Sequence, residues 1–262
     1  MNKSEKIINE SGYPLQIFIE DLIEENKKET IWKIQVSEHR WINDQTKDEG
    51  FIDLVLRNTN DNFRMIIECK RIIGKWNFLI PKKNFSDTGD LKILSMNYNS
   101  KEYKWPIGHF TPNSYESSFC VMENGEKKDS RTLEKISSEL LLSLEYFAKS
   151  ETEFKVSLLN DNPPIFGQEF KAYIPIIITT ADLQVYKFDP KDFDVKIGEI
   201  TEGEFETVPF IRFRKNLSSH IKYTDIKKKY DFSELNKEYD RSVFIVHAEY
   251  FIEFLKYFRG GF

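Results

Sequence analysis

The chain has 262 residues, of which 40% are hydrophobic and 31% charged, with a formal net charge of −5. That is enough for one large domain with a sizeable core, and it excludes both a low-complexity disordered chain and a protein that coats nucleic acid over its whole surface, while leaving room for a local basic groove. Cys69 and Cys120, the two cysteines, lack the spacing of a disulfide framework or a cysteine zinc site, and neither a secretory leader nor a membrane-length apolar stretch (about 20 residues) is present, so a cytoplasmic protein with reduced thiols and no membrane contact is expected.

The first element begins after Ser11-Gly12-Tyr13, where Pro14 suits the first turn of a helix. Its apolar stripe is Leu15, Ile19, Leu22 and Ile23, while Gln16, Glu20 and Glu24 at i, i+4, i+8 share a polar face. Strands are predicted at 31–36 and 51–56, and a turn at Asn58-Thr59-Asn60-Asp61-Asn62 leads into a third at 63–67, giving a meander. From about 74 to 128 the pattern is irregular and rich in aromatic residues, an elaboration on the core with one short strand at 119–122.

Asp129 or Ser130 is placed to cap a helix carrying Leu133, Ile136, Leu140, Leu144 and Phe147. The run 172–178 reads as a strand buried on both faces, with Pro175 as its one discordant residue, and 183–188 is expected to pair with it as a hairpin. Strands at 210–213 and 242–246 and a helix over 248–258 complete the chain. The order predicts a single α/β domain spanning 1–262, with a mixed central β-sheet flanked by α-helices.

Asp53 lies within the second strand, and Glu68-Cys69-Lys70 ends the third. A meander sets the two carboxylates and the amine at neighbouring strand ends. A pair of carboxylates at the end of apolar runs is costly to bury without a cation. A solvated surface ion pair, the plain alternative, is worth at most about 1 kcal/mol.

At Gly50-Phe51-Ile52-Asp53 and Ile66-Ile67-Glu68-Cys69-Lys70 the chain resembles the PD-(D/E)XK nuclease superfamily, of restriction-endonuclease-like fold, with Ile52 standing where a proline is common. The resemblance covers the meander by motif and the rest by element order. It implies a Mg²⁺- or Mn²⁺-dependent nuclease in which Asp53, Glu68 and the Cys69 backbone carbonyl hold the metal and Lys70 serves the attacking water. DNA is the implied substrate, with a homodimer or a protein partner in a bacterial defence system as the implied setting.

An acid on the first helix often completes such sites, at a position where this chain has Gln16. Three readings stay open: Gln16 acts as a neutral ligand or supports one, Glu20 one turn later takes the role, or the site is degenerate or activated by a partner. Gln35, Glu38, His39 and Arg40 reach toward the site from the first strand. Lys82 and Lys83 among aromatic residues, and Arg212, Arg214, Lys215 and Lys222 in the densest basic stretch, are the candidate nucleic-acid contacts.

Overall fold

The computed structural model describes residues 2–43, 47–82, 90–98, 102–105, 107–109, 114–124, 127–129, 132–159, 170–217 and 239–258. In chain order the elements are α1 (Lys3–Glu10), α2 (Tyr13–Glu25), β1 (Trp32–Ile42), β2 (Glu49–Asn58), β3 (Phe63–Lys70), β4 (Lys75–Pro81), β5 (Asp90–Lys92) and β6 (Leu94–Asn97). There follow β7 (Glu102–Lys104), β8 (Ile107–His109), β9 (Glu116–Ser117), β10 (Cys120–Asn124), β11 (Lys127–Asp129) and α3 (Thr132–Leu159). The C-terminal part holds β12 (Phe170–Thr179), β13 (Asp182–Phe188), β14 (Phe193–Asp194), β15 (Glu199–Ile200), β16 (Glu204–Thr207), β17 (Phe210–Asn216), β18 (Asp240–His247) and α4 (Phe251–Tyr257).

The expected mixed α/β architecture is present. The main sheet runs β1-β2-β3-β12-β18-β17-β9, with β6 and β7 attached along the first part of β12. β1, β2 and β3 are an antiparallel meander, whereas β3, β12 and β18 are parallel. Leu15, Ile19 and Ile23 of α2, with Phe251, Phe254 and Leu255 of α4, pack on one face. Leu140, Leu144 and Phe147 of α3 pack on the other, together with Trp76 and Phe78 of a second sheet.

That second sheet, β11-β10-β4-β13-β16, corrects two expectations. The 74–128 stretch holds more than the one short strand expected of it: it supplies β4, β10 and β11 to this sheet and β6 to the main one, and its rings Trp76, Phe78, Tyr98 and Trp105 are buried. The 183–188 strand follows the buried run directly but pairs with β4 and β16 instead of folding back on β12. Pro175 is accommodated inside β12 because the neighbour on that edge changes there, from β6 opposite Tyr173 to β18 opposite Ile176. A residue without an N–H costs least in such a gap.

One further helix, α1, precedes the expected first element. Asn2 and Glu5 form a reciprocal capping box around its first turn, a signal present in the sequence. No helix among the described residues is long and apolar enough to cross a membrane.

The lower end of β3 is fixed by buried charge. Glu151 of α3 accepts from Arg64 Nε at 3.0 Å and Nη2 at 2.6 Å, from Lys171 Nζ at 2.7 Å and from the Tyr173 hydroxyl at 3.0 Å. Asp61, in the β2–β3 turn, accepts from Arg64 and from Lys155, each at 2.6 Å. Burial alone would raise the Glu151 pKa, but Arg64 and Lys171 hold it below the usual carboxylate range. Glu151→Ala leaves two buried cations without their shared acceptor, so it is expected to cost about 3–5 kcal/mol, read as a lower urea midpoint with an unchanged slope.

Candidate metal and phosphate site

β2 and β3 pair from Arg57↔Arg64 as far as Leu54↔Ile67, where their ladder stops. β2 continues beside β1 to Glu49, and β3 beside β12 to Lys70, so the two strands part. Asp53 and Glu68 are the first residues past the fork. The Asp53 carboxylate spans the gap: its Oδ2 accepts the backbone N–H of Cys69 at 2.6 Å, in place of the carbonyl that a continuing ladder would have offered.

The fork is also a kink. Ile52 and Val55 both pack on the α3 side, although strict alternation would send residues three apart to opposite faces. The break therefore falls at Asp53-Leu54. Across from it on β1, between Ser37↔Leu54 and His39↔Ile52, stands Glu38 with φ 53°. For a residue other than glycine, that left-handed conformation costs of order 1–3 kcal/mol.

Period-two alternation sorts the β3 triplet. Cys69 is buried with α2 on one side, while Glu68 and Lys70, on either side of it, share the opposite face. The Lys70 ammonium and the Glu68 carboxylate form an ion pair. Burial first, and then the charge of Glu68, raise the Asp53 pKa to about 7, against the opposing pull of the Cys69 N–H and of Lys70. Burial also raises Glu68, opposed by Lys70 and reinforced by Glu139 and Glu38. Although burial pulls Lys70 down, Glu68 and Asp53 keep its pKa above the ordinary value. Lys70 is thus an ammonium at neutral pH, an electrostatic group and not a proton acceptor.

The first-helix residues sit beside this fork. Gln16 is buried, and its amide donates to the Asp53 backbone carbonyl at 3.3 Å and to Glu20 Oε1 at 3.2 Å. It braces the backbone that carries the carboxylate. Among the polar residues of β1, Arg40 pairs with Glu49 and His39 stacks edge-on against Phe147, while the charge of Glu38 acts on both site carboxylates. Glu139, exposed on α3, is an acid near the site that strand reasoning did not reach; it flanks the helix's apolar stripe between Ile136 and Leu140.

Among the described residues, no three His, Cys, Asp and Glu side chains are gathered as tightly as a preformed metal cage. The donor chemistry nevertheless fits a hard divalent cation. Mg²⁺ is commonly bound through one or two carboxylates plus waters and substrate phosphate oxygens. Asp53 and Glu68 offer those carboxylates, each pushed toward protonation first by burial and further by neighbouring acids, against the pull of Lys70.

The expected basic groove is largely spoken for. Arg212 is fully buried, its Nη2 donating to the Ser114 carbonyl at 2.8 Å with Glu116 3.9 Å away, so it presents no charge to a phosphate. Arg214 lies 3.8 Å from both Glu116 and Asp240, and Lys215 pairs with Glu134. Lys82 is on the surface, 3.6 Å from Glu204. Lys83 and Lys222 lie outside the described residues.

Comparison of the chain with models of known protein families, with curated proteins and with solved structures finds no match.

The raised Asp53 pKa fixes the sign of one effect. A carboxyl that holds its proton to about pH 7 when folded and to about 4 when unfolded destabilises the metal-free fold progressively between those values. Asp53→Asn keeps an acceptor for Cys69 and removes the charge. In EDTA at pH 8 it should melt several degrees higher than the parent protein, at about 2–4 °C per kcal/mol, and the gap should close toward pH 4.

Proposed function

We propose that the chain is a metal-dependent nuclease of restriction-endonuclease-like fold that hydrolyses phosphodiester bonds, in DNA above all. The observation that carries this reading is the pair of partly buried carboxylates at a strand fork, both pushed toward protonation, with an ammonium beside them. Structural ion pairs behave oppositely, each partner favouring the charge of the other, as Asp61 and Glu151 do in this same chain. A site that stores unbalanced negative charge is built to receive a cation.

Asp53 and Glu68 would hold Mg²⁺ or Mn²⁺, with the Cys69 carbonyl within the same strand end. Bound there, the ion would lower the pKa of a coordinated water and neutralise charge on the phosphate. The hydrogen bond from Cys69 N–H fixes one Asp53 oxygen and leaves the other free. Gln16 holds the Asp53 backbone, so the carboxylate is positioned from two directions. Lys70, charged throughout, stabilises the phosphorane-like charge as water adds to phosphorus, losing one proton to solvent, and the P–O ester bond breaks, the leaving oxygen taking a proton back from solvent. On the same reading the setting is bacterial defence against foreign DNA, alone, as a homodimer or with a protein partner.

A second reading keeps the fold and the metal but assigns activity to a complex. Gln16 favours it, because its amide occupies the place where an acid would complete the site, and uses Glu20 as its own acceptor.

Purified protein with Mg²⁺ or Mn²⁺ should cut plasmid or linear DNA, and Asp53→Ala, Glu68→Ala and Lys70→Ala should each reduce cutting by at least about 10²–10³-fold. Cutting that survives all three substitutions would sink the assignment. Metal at a hundred times its dissociation constant should stabilise the parent protein by about 2.7 kcal/mol and Asp53→Ala not at all. Metal-dependent stabilisation without cutting selects the partner-activated reading.

A further inference from the structure

A cleft of about 570 Å³ opens next to the fork, between the start of α2 and the segment Arg71–Lys75, with Thr180 and Asp182 behind it. Asp53, Glu68 and Lys70 do not line it, and it meets the site through sequence neighbours. Leu15 precedes Gln16, and Arg71 follows Lys70, one residue step of about 3.8 Å.

The cleft is rigid. The Thr180 hydroxyl accepts the Ile72 N–H at 3.0 Å and donates to the Ile72 carbonyl at 2.9 Å, and the Asp182 N–H donates to the Gly74 carbonyl at 3.0 Å. Gly74 turns the segment at φ 134°, a conformation that side-chain-bearing residues rarely adopt.

Its chemistry is mixed in a particular way. Phe18 is half-exposed on one wall and Ile73 two-thirds exposed on the other. The side chains of Arg71 and Lys75 make no ion pair or hydrogen bond with any described residue, unlike those of Lys82, Arg212, Arg214 and Lys215. Asn9 and Asp182 add donor and acceptor groups.

A ring, two uncommitted cations and a few polar groups in a preformed cleft match one nucleotide: a base against Phe18 and a phosphate at Arg71 and Lys75. A base held inside a duplex stack has no access to such a recess. We propose that the cleft receives one unstacked nucleotide of the strand being cut, adjacent to the scissile phosphate, and that the substrate is therefore single-stranded or locally opened DNA. This inference rests on the nuclease reading for the role of the cleft, but its test does not depend on cutting.

Binding of a fluorescein-labelled 15-nucleotide single strand is followed by anisotropy in EDTA, where no cleavage occurs. Phe18→Ala and Arg71→Ala should each weaken binding about tenfold, with Phe18→Tyr restoring it and all three proteins melting within a few degrees of the parent. An abasic residue scanned along the strand should reproduce the Phe18→Ala loss at one position and add nothing further in that variant. The matching duplex should bind more weakly and be indifferent to Phe18→Ala. Parent-like binding by Phe18→Ala and Arg71→Ala, or failure of the parent protein to bind the single strand, overturns the proposal. If these losses appear but Mg²⁺ and Mn²⁺ neither support cutting of any DNA nor stabilise the protein, the cleft stands and the nuclease reading falls.

Discussion

The hydrogen bond from the Cys69 amide to the Asp53 carboxylate holds the fork of β2 and β3 together. Without it, Cys69 would expose an unpaired backbone donor in a largely buried strand, and Asp53 would have no fixed direction. The bond ties the position of one site carboxylate to the backbone that carries the other, Glu68, one residue earlier. Everything else at the site adjusts to that tie. β2 kinks, Glu38 accepts a strained conformation opposite the kink, and Gln16 reaches in from α2 to hold the Asp53 carbonyl.

The two ends of β3 treat buried charge in opposite ways. At Arg64 the cations Arg64, Lys171 and Lys155 converge on Glu151 and Asp61, whose carboxyls are held below their usual range. Lys171 itself is brought down to about 8, burial outweighing its acidic partner. At Lys70 there is one ammonium beside Asp53, Glu68, Glu38 and Glu139, and the half-buried carboxyls of Asp53 and Glu68 rise, through burial first and neighbouring acids second. Stability comes from the first end and a standing electrostatic cost from the second. A fold retains such a cost most readily where a ligand offsets it.

Distance along the chain says little about which charges meet solvent. Arg212, Arg214 and Lys215 form a basic run, yet β17 lies beside β18 and β9, and its alternation turns Arg212 into the interior toward Ser114 and Glu116. Arg71 and Lys75, unremarkable in the sequence, stand on either side of the Gly74 turn, Arg71 just past the end of β3 and Lys75 at the start of β4, and both line a cleft.

The sequence by itself determined what depends on local period and on turn chemistry. The α2 stripe, the three-strand meander, the buried β12 run and the common face of Glu68 and Lys70 follow from 3.6- and two-residue repeats, which a chain carries wherever it is placed. The capping box of α1 is just as local, Asn2 and Glu5 lying three residues apart, although that helix was not among the expected elements. Tertiary structure decided what depends on the choice of partner. It sent β13 to a second sheet and threaded Pro175 through a gap between two neighbours; it buried Arg212, and it ended the β2–β3 ladder one pair before Asp53 and Glu68. Strand pairing and the field around a buried carboxyl are set by residues far apart in the chain, so no local pattern encodes them. Asp53, Glu68 and Lys70 stand out in the sequence, but their meeting at the end of the β2–β3 ladder, bridged by the Cys69 amide, exists only in the fold.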